Sequence, residues 1–141
     1  LAVLLTLTVR DARALVADSK PADLYAEAML WLREEAPPGS LVFQTDWDDF
    51  TRQFFYAPHL RYINGLDPTF MQLHNEVLYN EWVDITRGRR NLPGATIRDR
   101  FNAAYVFSDL DHNAFLDEAA NDPILKEVYR DQYAVIFAVG E

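Results

Sequence analysis

The side chains best suited to chemistry in this 141-residue chain are acidic and fall in three places: Asp46, Asp48 and Asp49 around Trp47; Asp67; and Asp109 and Asp111 beside His112. Carboxylates are hard oxygen ligands, so Asp46, Asp48, Asp109 and Asp111 would suit Mg²⁺ or Mn²⁺ if the fold brought them together. The competing explanation is that these aspartates cap helices and solubilise loops, as aspartates routinely do. Trp47, set among Asp46, Asp48 and Asp49, is expected near a rim where a sugar or peptide could lie on its face.

Arg87, Arg89 and Arg90 form the one compact basic patch. Guanidinium forks pair well with the oxyanions of a phosphate or a lipid headgroup. They also suit the negative end of a helix dipole, and both explanations stay open from sequence alone. Asp46-Trp47-Asp48 and Asp109-Leu110-Asp111 match the short Asp-x-Asp pattern found in nucleotide-sugar transferases. His59, His74 and His112 are too dispersed for a zinc motif, and there is no His-Glu-x-x-His. The chain lacks a Gly-x-Gly-x-x-Gly turn, a Gly-x-x-x-x-Gly-Lys loop and a Gly-x-Ser-x-Gly elbow, and it has no cysteine nucleophile. Self-contained hydrolase or dinucleotide chemistry is therefore not indicated.

The elements that must position these residues alternate between helix and strand. From Pro21 to Glu35, Leu24, Ala28, Trp31 and Leu32 recur at helical spacing, and Pro37, Pro38 and Gly39 stop the helix. Leu41, Val42 and Phe43 read as a buried strand ending at the first acidic cluster. Asp48 or Asp49 then caps a short helix carrying Phe50, Phe54 and Phe55, whose aromatic run is expected in the core. Tyr62 and Ile63 make a second strand. Asp67 and Pro68 start one longer helix with Phe70, Leu73, Val77, Trp82 and Ile85 as its buried stripe. Thr96 and Asp99 suggest a capping box for a helix ending near Phe101. A strand from Ala104 to Phe107 delivers Asp109, Asp111 and His112, and a short helix follows from Asn113 to Ala120. Two β-rich runs around Arg130, Asp131 and Gln132 predict an edge hairpin. The expected architecture is α/β: a three-layer sandwich, helices on both faces of a mainly parallel sheet, with that hairpin at its C-terminal edge. Ligands then collect outside the carboxyl ends of the strands.

Half the residues are hydrophobic, and nine Phe, seven Tyr and three Trp supply material for a single dense core. The formal charge of −9 argues against a nucleic-acid partner, since phosphate backbones are met by clustered Lys and Arg. The expected division is an N-terminal segment over residues 1–20 and one α/β domain over residues 21–141. Leu1 to Val9 is apolar apart from two threonines and is too short by itself to cross a bilayer, which takes about 20 residues. It reads equally as a terminal element of the domain or as the end of a transmembrane helix.

The order of features resembles a known family. A helix running into Trp31-Leu32-Arg33-Glu34-Glu35-Ala36-Pro37-Pro38-Gly39-Ser40, a strand, Asp46-Trp47-Asp48-Asp49-Phe50 and then Tyr62-Ile63-Asn64-Gly65-Leu66-Asp67-Pro68-Thr69-Phe70 are similar to the soluble C-terminal domain of polytopic membrane glycosyltransferases. These enzymes, of the oligosaccharyltransferase and protein mannosyltransferase type, use lipid-phosphate-linked sugars, and uncharacterised bacterial membrane proteins are related to them. The resemblance covers about Tyr25 to Val139. In the oligosaccharyltransferase branch the matching strand ends in Trp-Trp-Asp-Tyr-Gly, which recognises the acceptor hydroxyl; here Trp47 and Asp48 match, and Asp46, Asp49 and Phe50 depart. The resemblance implies an accessory domain on the extracytoplasmic face, with Trp47, Asp48 and Asp49 as acceptor-binding residues. It implies as partners the membrane-embedded part of the same polypeptide and a glycan, lipid-linked sugar or peptide acceptor. Any Mg²⁺ or Mn²⁺ would then belong to the parent protein, with no cofactor in the domain itself. The rivals are a free-standing metal-dependent enzyme built on the acidic strand ends and a non-catalytic interaction module.

Overall fold

The computed structural model describes residues 20–140 apart from residue 22, together with Arg10, Asp11 and Arg13. The apolar run over residues 1–9 and both expectations attached to it lie outside the described residues. The described chain forms α1 (Ala26–Glu35), β1 (Leu41–Gln44), α2 (Phe50–Tyr56), β2 (Arg61–Tyr62), α3 (Thr69–His74) and α4 (Glu76–Thr86). It continues with α5 (Gly94–Phe101), β3 (Tyr105–Asp109), α6 (Asn113–Ala119), β4 (Leu125–Arg130) and β5 (Ala134–Val139). Among these residues no helix is long and apolar enough to cross a membrane.

The strands form one sheet in the order β2-β1-β3-β5-β4. β2, β1 and β3 are parallel, and the β4–β5 hairpin joins antiparallel through β5, so β4 alone is the edge at that side. The expected α/β sandwich is found, and the period-two alternation of the strands explains its three layers. Val42, Phe107, Ala134 and Ile136 face a layer containing Ala28, Met29 and Leu32 of α1 and Ala57 just after α2. Phe43, Val106, Val135 and Phe137 face the other way, against Trp82 and Ile85 of α4, Ile97 and Phe101 of α5 and Phe115 of α6. Each large apolar side chain buried in this way contributes about 1.5–3 kcal/mol.

Several local expectations are corrected. The helix expected from Pro21 begins at Ala26, because Tyr25 turns the chain through a left-handed backbone conformation (φ 68°). The single helix expected after Pro68 is two: Asn75 is extended and accepts a hydrogen bond from the backbone N–H of Leu78 at 3.0 Å, capping α4 and stopping α3. Trp82 and Ile85 of the expected stripe are buried, whereas Phe70, Leu73 and Val77 are exposed. Phe54 and Phe55 are exposed too, not core; the inward residue of α2 is Gln53. Asp49 occupies the cap position of α2, but its side chain makes no capping bond there. The Thr96–Asp99 capping box does not form, since Asp99 pairs with Arg98. Asp122, distant in sequence, instead accepts the Gly94 N–H at the start of α5.

Candidate functional site

β1 and β3 are adjacent and parallel, yet their carboxyl ends lead to opposite faces: β1 into α2, which packs beside α1, and β3 into α6 on the other layer. Neighbouring strands whose connections part in this way open a crevice above the sheet, the place where open α/β sheets take their ligands. The crevice floor is polar. Thr45 Oγ1 donates to Ser108 Oγ at 3.0 Å, and Ser108 Oγ donates to the backbone oxygen of Asp109 at 2.8 Å.

Asp109 organises the β3 side. Its Oδ1 accepts the backbone N–H groups of Asp111 (2.9 Å) and His112 (3.1 Å) and lies 2.7 Å from His112 Nδ1. Burial works to raise the Asp109 pKa, but the hydrogen bond and positive charge of His112, with the two backbone N–H groups, win and hold it below the usual carboxylate value. The same hydrogen bond raises His112 against the opposing effect of its own burial, helped by the charges of Asp109, Asp46 and Asp49. The result favours an imidazolium fixed by a carboxylate at one wall of the crevice.

On the other side of His112 lies a cleft of about 290 Å³ lined by Thr45, Asp46, Trp47, Tyr79, Arg87 and His112, with Trp82 deeper in its wall. That volume is at the lower end of small-molecule sites. Trp47 stands at the rim with 38% of its surface exposed. Trp82 is fixed from behind by its indole N–H, which donates to the Gln44 carbonyl at 2.9 Å. Burial raises the Asp46 pKa, opposed by the N–H of Asp48 and reinforced by the Asp48 charge. The cleft therefore combines aromatic surface with a carboxyl group, an imidazole and a guanidinium.

Beneath α2 runs a second polar seam. Asp49 is buried, and desolvation pushes its pKa up to about 6, while the Tyr25 hydroxyl beside it pulls the other way. Arg52 Nη1 stands 3.8 Å from Asp49 Oδ1, beyond hydrogen-bond reach. Among the described residues Asp49 Oδ1, Gln44 Nε2, Asn64 Nδ2 and both amide atoms of Gln53 are buried without a hydrogen-bond partner. An unsatisfied buried polar group costs about 1–3 kcal/mol, so each of these atoms lowers stability where no polar partner meets it.

The residues singled out from sequence are thus divided. Asp46 and Trp47 enter the cleft with His112; Asp48 points outward and is exposed; Asp49 lies beneath. Asp111 is exposed and borders a different cavity, of about 250 Å³, with Lys20, Tyr25 and Tyr133. Asp46, Asp48, Asp109 and Asp111 are all described, and among the described residues no three His, Asp or Glu side chains form a group that could hold a metal ion. The arginines separate: Arg87 lines the cleft, Arg89 pairs with Asp84 at 3.6 Å, and Arg90 is exposed. Asp67 accepts the Thr69 N–H at 2.8 Å at the start of α3. His59 is half-buried and His74 exposed, both away from the cleft. Tyr79, Gln44 and Gln53 were missed by motif reading. A signal existed for two of them, since Gln44 shares the inward face of Val42 and Gln53 follows Asp49 by one helical turn.

No family model, curated protein or solved structure matches the chain.

Proposed function

We propose that this is an accessory, extracytoplasmic domain of a membrane glycosyltransferase-like protein, and that its β1–β3 cleft binds the hydroxyl-bearing acceptor, a glycan or a peptide, without completing a reaction alone. The observation that carries the reading is the cleft itself, where the Trp47 face stands with Asp46, His112 and Arg87 at a topological switch point. A sugar ring offers apolar C–H faces to an aromatic plane and hydroxyls to charged donors and acceptors around it, which this set supplies. The resemblance in the order of features supports the parent protein's class. The lipid-phosphate-linked donor would then be handled by the membrane-embedded part of the same polypeptide.

Titration calorimetry with neutral oligosaccharides and hydroxyl-bearing peptides tests the reading. Asp46→Asn is expected to weaken binding about tenfold to a hundredfold, the value of a hydrogen bond to a charged group, with the melting temperature little changed. In the full-length protein the same change should raise the acceptor KM. Saturable binding that Asp46→Asn leaves untouched would place the acceptor elsewhere.

A further inference from the structure

The groups lining the β1–β3 cleft divide into those already engaged and those left over for a ligand. Trp82 gives its indole N–H to the Gln44 carbonyl, and Thr45 gives its hydroxyl to Ser108. One oxygen of Asp46 accepts the Asp48 N–H at 3.4 Å. What is left over among the described residues is rich in donors: the Trp47 indole N–H, the Tyr79 hydroxyl, the Arg87 guanidinium and Nε2 of His112. A guanidinium alone carries about five N–H groups, against the remaining acceptor sites of one carboxyl group. Such a surplus suits a ligand rich in acceptors.

Two features fix the cationic end of the cleft. Asp109 Oδ1 lies 2.7 Å from Nδ1 of His112 and also accepts the backbone N–H groups of Asp111 and His112, so Nε2 is the ring nitrogen that remains for the cleft. The same carboxylate strengthens the ring's hold on its proton, which makes Nε2 a donor rather than an acceptor. Arg87 closes α4, and the next residue, Gly88, has a left-handed backbone (φ 63°). A Cβ on Gly88 would come within 2.5 Å of the backbone of Ala114, two residues beyond His112. Glycine permits that approach, and it seats the end of α4 on the first turn of α6. Arg87 is thereby set at the same cleft as His112. Arg89 pairs with Asp84, whereas the Arg87 guanidinium has no carboxylate partner among the described residues.

We infer that Arg87 and His112 form an oxyanion subsite of the cleft, and that the acceptor is an acidic sugar whose carboxylate or phosphate lies against them while its ring lies on Trp47. A guanidinium fork and an imidazole N–H both match the oxygens of such a group. The second oxygen of Asp46 stays available to the ring hydroxyls. That the ligand is a sugar rests on the acceptor reading of the cleft; the oxyanion subsite itself does not.

Methyl glucoside, methyl glucuronide, glucose 6-phosphate and inorganic phosphate, each titrated into the whole chain by calorimetry, test the inference. At least one acidic sugar should bind about tenfold tighter than methyl glucoside, the value of one hydrogen bond to a charged group. A preference for the glucuronide assigns a carboxylate to the subsite, and one for the 6-phosphate assigns a phosphate. Arg87→Gln should bring the acidic sugar down to the affinity of methyl glucoside, and His112→Gln should reduce the preference. Arg87 is exposed, so its change carries the test even if His112→Gln unsettles the turn around Asp109. Equal affinity for methyl glucoside and both acidic sugars overturns the subsite and leaves the acceptor reading standing. So does a preference that survives both changes. Phosphate binding that both changes remove, with no binding of any sugar, keeps the subsite and sinks the acceptor reading. Silence toward all four probes overturns both.

Discussion

At Asp49 a carboxyl group is carried beneath α2 with one oxygen unpaired, and its pKa of about 6 stands above the ordinary 3.8. A raised folded-state value means that the stability it confers is complete below pH 3.8 and is lost as pH rises through about 6. The displacement corresponds to about 3 kcal/mol at most. Asp49→Asn should therefore fold, gain about 1–3 kcal/mol over the native chain at pH 8 in urea melts, and show little difference at pH 4. A loss at pH 8 would mean that the charge is held by partners that outweigh its burial. Gln53→Met, which replaces two unpaired amide atoms by an apolar side chain of similar length, should stabilise by about 1–2 kcal/mol unless ordered water fills the seam. Sequence singled out this stretch but could not separate its carboxylates. Asp46, Asp48 and Asp49 look alike in composition, and only the turn after β1 decides that Asp46 enters the cleft, Asp48 faces water and Asp49 is buried.

Among the elements, apolar periodicity made the helices legible but not their caps, whether the capping residue is local or distant. The pair α3–α4 carries an unbroken helical stripe in sequence, and periodicity cannot register that Asn75 satisfies the Leu78 N–H and restarts the helix. Asn75→Ala should cost about 1 kcal/mol, measured by chemical denaturation, and should tend to merge the two helices. α5 shows the opposite case. Thr96 and Asp99 mimic a capping box, while the working cap is Asp122, which accepts the Gly94 N–H and, at 2.9 Å, the Ile124 N–H through its other oxygen. Because Asp122 is buried, Asp122→Ala should leave both donors unsatisfied and cost about 1–3 kcal/mol. The strands and the C-terminal hairpin were readable because β-branched and aromatic runs bounded by turn residues need no distant information. Asp131, which accepts the N–H groups of Tyr133 and Ala134 at 2.7 and 2.8 Å, closes that hairpin locally.

For the molecule as a whole, alternation of helix and strand sufficed for the three layers, since each strand's two faces must both be covered. It could not give the strand order, and the order makes the site: β1 beside β3, with connections parting to opposite layers, brings Asp46 and Trp47 to His112. That placement also sets the pH response. His112 is raised by Asp109, so its contribution is complete below the unfolded value of 6.5 and lost as pH rises through the higher folded value. Asp109 is lowered, so its contribution is complete above 3.8 and lost only as pH falls through the lower folded value. With Asp49 added, melting temperature should be highest near pH 4 and decline toward pH 8, and His112→Gln should flatten the upper part of that decline. The central claim, that the β1–β3 cleft takes the acceptor on the face of Trp47, is tested most directly by the three indole N–H resonances of the whole chain in NMR. On titration with oligosaccharide or hydroxyl-bearing peptide, the Trp47 resonance should move and saturate. That of Trp31, which packs on Tyr129 in another part of the fold, should stay in place. A saturable shift confined to Trp31, or a Trp47 resonance that no acceptor moves, would contradict the account.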